Sequence, residues 1–130
     1  MREILFRGKR IDGGWIEGDY INWTVGNPEI AVEYNTGHKR SHEVIPETVG
    51  QYTGLTDKNG TKIFEGDILE GHLDDYYPDN STIVSVIWYE NSWCILENGC
   101  LPVLMDNTDS QYFCVIGNIH DNPELLEVRE

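Results

Sequence analysis

No run of about 18 apolar residues occurs in this 130-residue chain, so no bilayer-spanning helix is expected. The opening segment, MREILFRGKR, is charged and lacks a following apolar region. It does not read as a secretory signal, and a cytoplasmic location is the expectation. Cysteine is scarce and odd in number: Cys94, Cys100 and Cys114 show no C-x-x-C spacing. They read as buried reduced thiols, with no disulfide or metal site expected. Basic residues are nearly missing from the second half. Residues 1–62 hold eight Lys/Arg against nine Asp/Glu, whereas residues 63–130 hold Arg129 alone against fourteen acids.

The formal net charge of −14 therefore sits almost wholly in the second half. Phosphate neutralisation supplies most non-specific affinity for nucleic acid, so that half argues against DNA or RNA as a partner. The plainest role of the acidity is solubility, and the sharper one is an acidic face for a basic partner. The first ten residues run the other way, with Arg2, Arg7, Lys9 and Arg10 clustered there. A nucleic-acid-binding alternative would use those four.

Chemical motifs are also lacking. No serine lies in a G-x-S-x-G context, and GLTDKNG places Lys58 before its second glycine, unlike a phosphate loop. Asp57 opens a stretch like a calcium loop, but Gly60 comes two residues early and the closing acid is missing. His38 and His42 have a spacing that holds metal on a helix, yet they flank Lys39 and Arg40 in a polar, loop-like segment. No cofactor is expected. An alternative as a small metal-dependent hydrolase would use carboxylates within residues 65–75, and a chain with 23 acids brings such pairs together by chance.

What the chain has is strand and turn signal. Strands are expected at Ile4–Arg10, Trp15–Asn22, Glu29–Tyr34, Gln51–Thr53, Thr82–Tyr89, Trp93–Leu96, Leu101–Met105 and Gln111–Ile116. The spacing predicts polar loops over 35–42 and 74–80, and apolar cover on both faces of Thr82–Tyr89. Asp12-Gly13-Gly14, Asn59-Gly60 and Asn98-Gly99 predict hairpins. Pro46–Val49 predicts one helical turn with proline leading. Asp67 is expected to bond local amides, and Asn122 to cap a turn begun by Pro123. Asp74, Asp75, Tyr76 and Tyr77, in an acidic aromatic loop, form the expected partner surface.

Three blocks carry a family resemblance: REILFRGKR with GWIEG, VIPETVGQYTGLTDKNGTKIFEGDIL, and VIGNIHDNPELL. In this order they resemble the YopX family of phage and prophage proteins. The resemblance implies a mainly β fold with an N-terminal α+β part of little helix, residues 1–62, and a C-terminal SH3-like β-barrel, residues 63–130. It implies a bacterial host cytosol and supplies no catalytic residues to carry over. The expected function is that of a non-enzymatic phage or prophage accessory protein, acting through contacts with a host or phage protein. Self-association into a homo-oligomer is also expected, since a short β-rich chain has edges to cover.

Overall fold

A computed structural model of the chain describes residues 4–34, 37–71, 82–97, 100–105 and 111–126. The chain divides into two compact units, Met1–Tyr52 and Thr53–Glu130. The fold is mainly β, as the sequence implies.

In the first unit, β1 (Phe6–Lys9), β2 (Trp15–Ile21), β3 (Glu29–Glu33) and β4 (Lys39–Glu43) form an antiparallel meander. The start of β5 (Gly50–Thr56) joins on the other side of β1, giving the order β4-β3-β2-β1-β5. The β1–β2 turn closes as the glycines predict, with Gly13 N–H donating to the Arg10 carbonyl at 2.8 Å and φ of 105° at Gly13. A 3₁₀ turn, Pro46–Thr48, precedes β5. It is fastened to β1 by Thr48, whose hydroxyl accepts from Lys9 N–H at 2.9 Å and donates to the Ile45 carbonyl at 2.6 Å. Ile30 and Val44 are fully buried and pack over Gly8, where a Cβ would come within 3.1–3.2 Å of both side chains.

Residues 39–43 correct an expectation. The polar sequence Lys39-Arg40-Ser41-His42-Glu43 is a strand, paired in register with β3 from Glu29↔Glu43 to Glu33↔Lys39. Backbone pairing with β3 outweighs the weak strand propensity of these side chains. Such a sequence suits an edge strand, because charged side chains discourage further pairing. Lys39 also reaches Asp19 on β2 at 2.8 Å, and that hydrogen bond holds its ammonium above the usual lysine value.

In the second unit, the end of β5 neighbours β6 (Lys62–Phe64) across the Asp57–Gly60 turn. A five-stranded antiparallel sheet follows: β7 (Asp67–Gly71), β8 (Thr82–Tyr89), β9 (Ser92–Glu97), β10 (Val103–Leu104) and β11 (Phe113–Asn118), ordered β10-β9-β8-β7-β11. Its core gathers Ile63, Leu69, Val84, Val86, Ile95, Met105 and Phe113. Among the described residues no pairing joins β10 to β11.

Other details depart from the sequence reading. Only the middle of β8 is covered: Val84, Ser85 and Val86 are buried, while Trp88 and Tyr89 are exposed. Cys94 is buried, but Cys100 is exposed and Cys114 only half-buried. A second 3₁₀ turn, Pro123–Leu126, begins at proline as expected. The Asn122 side chain, however, turns back to accept from Asn118 N–H at 3.2 Å.

Candidate protein-binding surface

The turn motif with the densest chemistry is structural. Asp57 is buried, and its Oδ1 accepts from Asn59 N–H at 2.8 Å and from Thr61 N–H at 2.9 Å. Its Oδ2 accepts from Val115 N–H on β11 at 2.9 Å. One carboxylate thus shapes its own turn and fastens it to a strand 58 residues away. Asp67 is also buried and accepts from Phe64 N–H at 2.7 Å, as expected of a residue bonding local amides. Among the described residues no group of three or more His, Cys, Asp and Glu gathers where a metal could be held. His42 instead meets the Tyr34 hydroxyl at 2.9 Å.

The basic residues named for nucleic acid are partly engaged inside the first unit. The Arg7 guanidinium lies over the Trp15 ring, 5.1 Å from its centroid. Arg10 Nε is 3.2 Å from Asp12 Oδ1. Lys9 follows Arg7 by two along β1, on the same face of the sheet. Arg2 lies outside the described residues, as do Asp74, Asp75, Tyr76 and Tyr77.

Two shallow depressions share Glu43 in the first unit. One, of about 320 Å³, is lined by Arg10, Ile11, Asp12 and His42. The other, of about 490 Å³, is lined by Trp23, Val25, Asn27 and Glu29. Their polar side chains are turned on each other: Trp23 Nε1 donates to Glu29 Oε2 at 2.6 Å, and Asn27 Nδ2 to Glu43 Oε1 at 2.7 Å.

The second unit offers a different surface at β10, the outer strand of its sheet. The pairs Val103↔Ile95 and Leu104↔Cys94 set these two side chains on opposite faces. Their inner neighbours are buried, yet Val103 is 57% and Leu104 61% exposed. Leu101, just before, is 85% exposed. On the Val103 face, Trp88 stands across from Trp93 with ring centroids 4.7 Å apart, edge to face. Trp93 packs on the core, and Trp88 is 51% exposed. Exposed aliphatic and aromatic groups beside an open strand edge have the composition of protein interfaces. Sequence reasoning found these strands but not their exposure. The only hint was an apolar segment, Leu101–Met105, with no polar alternation.

Comparison with known proteins decides the family. The model of the family described as YopX protein matches residues 6–127, nearly the whole chain. The chain belongs to the YopX protein family. The crystal structure of protein EF1440 from Enterococcus faecalis is similar in fold, with a TM-score of 0.63 and 24% identity. That match covers 98% of this chain and 100% of the other. A comparison with curated proteins returned no match. No helix among the described residues of this YopX-family chain is long and apolar enough to cross a membrane.

Proposed function

We propose that this YopX-family chain is a non-enzymatic accessory protein of phage or prophage origin that acts in the bacterial cytosol by binding another protein. The observation that supports this reading is the β10 edge, where Val103 and Leu104 are exposed on an otherwise acidic unit. An open edge strand binds extended partners through backbone hydrogen bonds, and its alternate side chains give specificity.

A tagged pull-down from host lysate, uninfected and phage-induced, compares the natural chain with the double variant Val103→Ser/Leu104→Ser. Both residues are exposed, so the variant is expected to lower stability by no more than about 0.5 kcal/mol. The expected result is one protein recovered in stoichiometric amount by the natural chain and lost by the variant. Equal recovery by both would remove β10 from the contact. Alanine at Asp74, Asp75, Tyr76 and Tyr77 tests a second part of the surface. It is expected to weaken capture while leaving the melting temperature unchanged, and a fall in melting temperature would make those residues structural.

A further inference from the structure

We infer that the occupant of the β10 edge is a basic, extended segment of a partner protein, which adds a strand to the five-stranded sheet. The inference rests on the protein-binding reading above and specifies the chemistry of the partner. Two independent observations carry it.

The first is geometric. β10 pairs with β9 on one side, and no described strand pairs on the other. A two-residue strand is a short template by itself. Exposed Leu101 extends the apolar segment on the N-terminal side. Val103 and Leu104 point to opposite faces, so an added strand would meet an aliphatic contact on each of its own faces. Trp88, also exposed, lies on the same face of the sheet as Val103.

The second is electrostatic. From Ile63 to Val128 the sequence contains no lysine or arginine. Exposed Glu90 begins the β8–β9 turn and exposed Glu97 ends β9, so an acid stands at each end of the hairpin strand that supports β10. The field of such a surface attracts cations and repels anions. A second copy of this edge would bring two acidic units together, and a nucleic acid would bring phosphates. A segment with apolar residues alternating with Lys or Arg satisfies both the edge and the field. Its charges would also make encounter fast and salt-dependent.

The test uses two fluorescein-labelled synthetic peptides, one alternating lysine and valine and one alternating glutamate and valine, followed by fluorescence anisotropy with the full chain. The lysine–valine peptide is expected to bind, and the glutamate–valine peptide is not. Raising NaCl from about 50 to about 300 mM is expected to weaken binding at least about tenfold, since screening shortens the reach of exposed charges. Val103→Ser/Leu104→Ser is expected to weaken it by about tenfold as well, through loss of aliphatic burial at unchanged charge. Hydrogen exchange on the natural chain gives a readout independent of any variant: the peptide should slow exchange at Val103 and Leu104.

Equal binding of the lysine–valine peptide by the natural chain and the variant, with no protection at β10, would mean charge attraction alone and would overturn the inference. So would failure of that peptide to bind, or sedimentation showing dimers that protect the same residues. If the peptide fails but a lysate protein is captured through β10, protein binding stands and only the basic character of the partner falls.

Discussion

Replacing Asp57 by alanine is expected to destabilise the Thr53–Glu130 unit by about 4 kcal/mol, since hydrogen bonds to a charged acceptor contribute roughly 1.5–3 kcal/mol each and do not add fully. Three backbone N–H groups lose their acceptor together: Asn59 and Thr61 in the turn, and Val115 on β11. Two further bonds hold the same region, from Asp57 N–H to the Thr61 carbonyl at 2.8 Å and from Lys58 N–H to the Phe113 carbonyl at 3.0 Å. The turn would keep these and lose the carboxylate between them. Against a typical domain stability of about 5–15 kcal/mol, such a loss is large. Asp57→Asn gives a graded comparison. Its single oxygen can serve the turn or Val115 but not both, and its NH₂ then faces a donor. An intermediate loss of about 2 kcal/mol is expected. Urea unfolding measures both variants, and amide exchange at Val115 locates the effect. A loss below about 1 kcal/mol for the alanine variant would show that water replaces the carboxylate without penalty, and the turn would not be its product.

Gly18→Ala is expected to destabilise the first unit by about 3 kcal/mol, the upper range for forcing an added group into packed structure. A Cβ at Gly18 would lie 2.0 Å from the Ala31 carbonyl oxygen and 2.9 Å from its carbon. Both are backbone atoms of β3, so no side-chain rotation relieves the clash. Propensity alone favours alanine over glycine in a strand by roughly 0.5–1 kcal/mol, which is too little to reverse the sign. The pairs Asp19↔Ala31 and Tyr20↔Ile30 would have to open, and with them the packing of fully buried Ile30. Thermal unfolding gives the magnitude, and hydrogen exchange should quicken at β2 and β3. Gly13→Ala separates steric from conformational effects. Nothing lies within 4 Å of a Cβ there, so its loss of about 1 kcal/mol would come from positive φ alone. If Gly18→Ala is no worse than Gly13→Ala, the close approach of β2 and β3 is relaxed in solution.

Both variants bear on the proposed binding role through what they leave alone. Neither residue lies on β10. Provided that the fold survives at the assay temperature, capture by the β10 edge should be retained by Gly18→Ala. Val103→Ser/Leu104→Ser should show the reverse pattern, with stability kept and capture lost.

By itself the sequence determined the fold class, the family and most turns, because these depend on residues close in the chain. Gly13 and Gly60 take positive φ where tight turns need it, and Asp57 bonds amides two and four residues on. The run of β-branched and aromatic residues in Thr82–Tyr89 marks β8 without reference to any partner strand. The charge asymmetry is likewise complete in the sequence. Tertiary structure alone decided what depends on distant neighbours. Lys39–Glu43 is a strand because β3 lies beside it, with pairing that no local propensity announces. Asp57 reaches Val115 only once β11 has come alongside. The strand order β10-β9-β8-β7-β11 likewise depends on which strands meet. The candidate surface belongs to this second group. A valine and a leucine in a short apolar run read as core in any sequence, and these two are exposed because β10 is the last strand of its sheet.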